Sequence, residues 1–215
     1  MEKPASPQPC LSNLLFLPAG CLLRTSPLLI LAVLVVGLLG GFYLYYDTNV
    51  DLFGIGRPDF NNLRYNSNQT QVQGADGSRW EIVYEKRVPS AFTGLVRHVS
   101  PIRLGTFPFL THDILVTSGD YADPAIVSTR VSNHHFSWYS QAKNAPAGKI
   151  NLIHAVPLNK AIYNQLLEIR NGQQAAISGY EILRIDAYQK TGEYLGKWED
   201  SGCNTMLVTA VQMQK

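Results

Sequence analysis

The sequence predicts an α+β, mainly β protein: an N-terminal transmembrane helix followed by a small antiparallel sheet or barrel domain with one covering helix. Three observations predict it. Leu28 to Tyr46 is an apolar run with no charge and no proline. From Arg79 onward, short apolar or alternating segments recur between turn residues. A single segment, Pro157–Arg170, carries the 3.6-residue period of an amphipathic helix.

The apolar run, expected to span residues 27–46, is long enough at 1.5 Å per residue to cross a hydrocarbon core of about 30 Å. Phe42, Tyr43, Tyr45 and Tyr46 at its C-terminal end are rings suited to a membrane–water interface. Gly37 and Gly41 stand at the spacing through which a membrane-protein partner helix could pack closely. Arg24 precedes the run, and Asp47 and Asp51 follow it. This charge bias makes it a signal anchor, with residues 1–26 as an inside tail and the domain outside. The expected location is therefore the cytoplasmic (inner) membrane, single-pass, with the domain on the periplasmic side. The expected partners are the lipid bilayer and protein contacts.

Residues 47–78 are rich in Asn, Gln and Gly and read as a linker, leaving 79–215 as the extracytoplasmic domain. Strands are expected at Trp80–Glu85, Thr93–Val99, Asp113–Thr117, Ile126–Val131 and His135–Tyr139. The helix Pro157–Arg170 places Leu158, Ile162, Leu166 and Ile169 on one face, and Asn171–Gly172 stops it. Further strands follow at Gln174–Gly179, Tyr180–Ile185, Tyr194–Trp198 and Thr205–Val211, with a turn at Lys190–Gly192.

Charge constrains the function. Of 18 Lys and Arg only Lys3 and Arg24 precede Asp47, and of 16 Asp and Glu only Glu2 does, so the remainder carries a net charge of +1. Without a basic surplus the expectation is no nucleic-acid partner. Of the three cysteines only Cys203 lies in the domain, so no disulfide can form within it.

Five histidines are the metal or acid–base candidates: His98, His112, His134, His135 and His154. One arrangement joins His112, Asp113 and one of His134 or His135 in a zinc site, although the spacing matches no familiar ligand motif. Adjacent strand residues point to opposite faces, so both members of the His134–His135 pair cannot serve one ion without a bulge. A second arrangement makes Cys203 a nucleophile with His154 or His135 as its base. The run Ser201-Gly202-Cys203 resembles the cysteine motif of L,D-transpeptidases, but the arginine two residues beyond is missing. No phosphate-binding or nucleophile-elbow motif occurs, and no cofactor is expected.

Several segments together resemble an uncharacterised family of exported or membrane-anchored proteobacterial proteins. They are Asp113-Ile114-Leu115-Val116 through Gly119, Phe136-Ser137-Trp138-Tyr139, His154-Ala155-Val156-Pro157, Gly172 to Gly179-Tyr180-Glu181-Ile182, and Asp200-Ser201-Gly202-Cys203. They occur in that family's order, over residues 80–213. The arginine before its aromatic strand and the run before its last motif are absent here. The resemblance implies a fold and a location, not a reaction. The expected function is a membrane-anchored, non-catalytic module acting through protein contacts in an envelope assembly. The alternatives are a Cys–His hydrolase or transferase using Cys203, and a small-ligand or metal-binding barrel.

Overall fold

A computed structural model describes residues 27–47, 58–199 and 202–214. The chain divides into two compact units, residues 1–50 and residues 51–215. The first contains helix α1, Pro27–Asp47. Among the described residues no helix is long and apolar enough to cross a membrane. This corrects the expectation of a transmembrane signal anchor at 27–46. Among the described residues, a Cβ added at Gly37 or Gly41 meets nothing within 4 Å. The tail 1–26, with Cys10 and Cys21, lies outside the described residues, as do Asp200 and Ser201.

The second unit is mainly β. Its strands are β1 (Leu63–Tyr65), β2 (Gln71–Gly74), β3 (Arg79–Tyr84), β4 (Ser90–Pro101), β5 (His112–Gly119), β6 (Val127–Ser132), β7 (His135–Ser140), β8 (Gly148–Pro157), β9 (Gln174–Tyr188), β10 (Tyr194–Glu199) and β11 (Asn204–Gln214). Helix α2 (Lys160–Glu168) lies between β8 and β9. Five strands close into a barrel in the order β4-β5-β8-β11-β9 and back to β4. All its pairings are antiparallel except β8 with β11. This is the Greek-key connectivity of an OB-type barrel, in which the helix follows the third strand.

The barrel is filled by Val96, Val99, Ile114, Val116, Ile153, Ala155, Ala175, Ile177, Met206 and Val208. Helix α2 closes one end with Ile162, Leu166 and the following Ile169, three of the four face residues that the periodicity predicts. Its start is set by Asn159, whose side-chain oxygen accepts the Ile162 N–H at 3.0 Å, the N-cap bond that an orphan amide requires. The helix is shorter than its periodic pattern because Pro157 is the last residue of β8, not the first of the helix.

Strand β9 is long enough to serve two sheets. Its first half pairs β4 and β11 in the barrel, and its second half leaves to pair β3 and β10. Gly179 sits at the departure, where a Cβ would lie 2.0 Å from the Leu207 carbonyl oxygen; only glycine allows that approach. The departing sheet, β1-β2-β3-β9, packs Val72, Trp80, Ile82 and Ile185 with Phe107, Phe109 and Leu110 of the β4–β5 connection in a second core. Trp80 donates its indole N–H to the Thr106 carbonyl at 2.7 Å, fixing that connection. The segment expected as a linker, 47–78, thus carries β1 and β2, and Leu63 and Val72 are buried. Two apolar residues among Asn and Gln carry no periodic signal, and their burial comes from pairing with β3.

Strands β6 and β7 form a separate two-stranded sheet. Ser132 pairs with His135, so Asn133 and His134 are the whole connection. Both have positive φ, 50° and 63°, as a type I′ hairpin turn demands. The hairpin base is held by Arg97, which donates to the carbonyls of Tyr121 and Val127 at 2.9 and 3.1 Å.

A candidate metal centre

The register across β5, β8 and β11 assembles the site. Asp113 pairs with His154, and His154 pairs in turn with Thr205. Residues paired across neighbouring strands share a face. Ile114, Ile153 and Met206, next in sequence, point into the barrel, so Asp113, His154 and Thr205 project from its outer surface. That outer face is itself buried: Asp113 and His154 are each 3% exposed and Thr205 is inaccessible.

Two elements cover it. The turn of the β6–β7 hairpin brings His134 down onto Asp113, and β10 brings Trp198. The Asp113 carboxylate accepts from His154 Nδ1 on one oxygen at 2.7 Å and from His134 Nδ1 on the other at 2.8 Å. Trp198 stands edge-on to both imidazoles, with centroids 5.3 Å from His154 and 6.0 Å from His134, and donates its indole N–H to Thr205 Oγ1 at 2.8 Å. The Cys203 sulfur lies 3.7 Å from the main-chain oxygen of His134.

The electrostatics follow from this geometry. Burial pushes the Asp113 carboxyl up, but the hydrogen bonds from His134 and His154 outweigh it and hold it below the usual carboxylate value. The Asp113 hydrogen bond raises His134 above the ordinary imidazole value, against a smaller opposing effect of burial.

One ligand atom from each of Asp113, His134 and His154 falls within 4.8 Å of the other two. Zinc held at about 2.0–2.2 Å by nitrogen and oxygen ligands in a tetrahedron separates them by about 3.4 Å. An ion would therefore widen the two short hydrogen-bonded separations, 2.7 and 2.8 Å, by about 0.6–0.7 Å. Two imidazoles and a carboxylate form a donor set suited to zinc and its divalent neighbours.

The sequence-based candidates divide around this centre. Asp113 and His134 meet as the zinc arrangement requires, but His112 is not with them. Adjacent residues of β5 face opposite ways, and His112 instead bonds Thr111 Oγ1 at 2.9 Å and lies 5.9 Å from the Tyr163 ring of α2. His154, one of the five histidine candidates and also expected as a base for Cys203, takes the place given to His112. His135 is exposed at the start of β7. The Cys203 thiol donates to the main-chain oxygen of His134. Trp198 and Thr205 were not among the expected residues; no local motif marks an indole and a hydroxyl that meet the site only through strand register.

No protein-family model and no characterised protein matches the chain. Among solved structures, the mitochondrial single-stranded DNA-binding protein Rim1 from S. cerevisiae is similar to it at 9% identity, over 60% of this chain and 95% of that one. The TM-score of 0.25 is too low for that likeness to carry an argument about function. The expectation that nucleic acid is excluded is corrected on its own ground. That exclusion rested on net charge, which sums over the whole surface and does not describe any one face of it.

Proposed function

We propose that this protein is a non-catalytic barrel module that binds one divalent transition-metal ion, of which zinc is the best fit, through Asp113, His134 and His154. The observation that carries the proposal is the meeting of these three side chains from β5, the β6–β7 turn and β8, with ligand atoms within 4.8 Å of one another. Two further features support it. His134 is held at φ 63°, a conformation uncommon for a residue with a side chain, and strained positions concentrate where geometry serves a site. The outer face of the second and third strands, here β5 and β8, is where OB-type barrels take their ligands; this is an analogy of fold, not of activity.

The ion would join three separate pieces of chain: the barrel wall, the hairpin turn and, through the packing of Trp198, strand β10. Such a role is structural. It suits a module that acts by presenting surfaces to other proteins, the part of the sequence-based expectation that the proposal keeps. The test is metal analysis and calorimetric titration of the purified full chain. One equivalent of zinc is expected, with binding abolished in Asp113→Ala and His154→Ala. A chain that takes up no zinc, nickel or cobalt at neutral pH would refute the proposal.

A further inference from the structure

The geometry points to Cys203 as the fourth ligand of this centre, making it a closed site of one cysteine, two histidines and one aspartate for a zinc-class ion; the inference rests on the metal-binding reading above. Three observations converge. In the parallel β8–β11 register, Asn204 pairs with Ile153 and Thr205 with His154. Continuing the alternation one residue back puts Cys203 on the face of His154 and Thr205, outside the barrel. The sulfur lies 3.7 Å from the main-chain oxygen of His134, outside the group of ligand atoms that fall within 4.8 Å of one another, so its side chain must turn to reach an ion there, and Cys203 is half-buried and not disulfide-bonded. Gly202, with φ 112°, is the bend that delivers it just ahead of β11.

Charge gives the independent reason. A divalent ion with one carboxylate and two neutral imidazoles leaves a net charge of +1 in a place where Asp113 and His154 are each 3% exposed. A residual buried charge is costly. A thiolate brings the centre to neutrality. It also fills the tetrahedral position that three protein ligands leave open, which separates a structural zinc site from a catalytic one. Binding breaks the S–H bond and forms a sulfur–metal bond, and the proton leaves to solvent, so affinity rises with pH. A soft sulfur donor selects zinc or cobalt over magnesium, calcium and manganese.

Cobalt(II) spectroscopy tests this directly. The full chain carrying Cys10→Ser and Cys21→Ser, reduced and metal-free, is titrated with Co(II). The expected result is one equivalent bound in a tetrahedral site, with a thiolate-to-cobalt charge-transfer band in the near ultraviolet that zinc bleaches and magnesium does not. Adding Cys203→Ser should remove that band and weaken zinc binding by about tenfold or more, with the far-ultraviolet circular dichroism unchanged. Stoichiometric cobalt binding without the band, and with equal zinc affinity in Cys203→Ser, would overturn the role of Cys203 while leaving the three-residue site intact. A band that persists in Asp113→Ala would place the thiolate elsewhere and also overturn it. Failure to bind cobalt or zinc at all would remove both readings.

Discussion

Replacing Asp113 by alanine in the metal-free protein isolates what the carboxylate contributes. Its two oxygens accept from His154 and His134 at 2.7 and 2.8 Å, and it is 3% exposed. A hydrogen bond to a charged group contributes about 1.5–3 kcal/mol, so losing both removes about 3–6 kcal/mol. Removing one partner of a buried charged pair costs about 3–5 kcal/mol by the independent route of leaving the other groups unmatched. The two ranges overlap at about 3–5 kcal/mol. At about 2–4 °C per kcal/mol for a domain of this size, the melting temperature should fall by about 6–20 °C. Asp113→Asn should lose less, about 1.5–3 kcal/mol, because its carbonyl oxygen still accepts from one imidazole while its amide opposes the other. The assay is urea and thermal unfolding in chelator near pH 6, followed by circular dichroism. A loss below about 1 kcal/mol in Asp113→Ala, or a larger loss in Asn than in Ala, would refute the account of the carboxylate as the shared acceptor of both imidazoles.

Other predictions address the hairpin, the barrel closure and the second core. His134 is raised above its ordinary 6.5, so in the metal-free protein its contribution is complete below that value and is lost as pH climbs through the raised pKa; Asp113 is lowered below 3.8, so its contribution is present above 3.8 and is lost as pH falls through the lowered pKa. The stability gap between wild type and His134→Gln should therefore be widest between pH 3.8 and 6.5, and a gap that grows with alkalinity in chemical unfolding would contradict this. Gly179→Ala forces a Cβ to 2.0 Å from the Leu207 carbonyl; overpacking against a paired strand should cost about 3 kcal/mol or more, measured by urea unfolding or read as loss of soluble protein. The Tyr65 hydroxyl is buried and has no hydrogen-bond partner among the described residues, and burial raises its pKa. Tyr65→Phe should therefore be neutral or stabilising by about 1–2 kcal/mol in thermal unfolding, and a clear destabilisation would reveal a partner for that oxygen.

Several features of the fold are legible in the amino-acid order because they are local. The period of Leu158, Ile162, Leu166 and Ile169 requires a helix with a buried face, and the alternation from Trp80 to Val211 requires strands. A mainly β sheet or barrel with one covering helix follows, since the apolar faces must bury one another; the pairing of β9 with β4 decides for the closed barrel. The uncharged run from Leu28 to Tyr46 likewise specifies a helix, observed at Pro27–Asp47.

The site was legible only in its parts. Asp113, His134, His154 and Cys203 all carry reactive atoms and were candidates for that reason. Their grouping depends on pairings that no short segment contains: β5 against β8, β8 against β11, and a hairpin turn returning to the barrel wall. Register shifts of one residue reverse which face each side chain occupies. His112 and Asp113 are neighbours in sequence, yet one faces α2 and the other faces His154, 41 residues away. The sequence by itself determined which elements form and which side chains are available for chemistry. The tertiary structure decided which of them meet, because strand register and barrel closure arise from packing between distant segments and not from the preferences of any one of them.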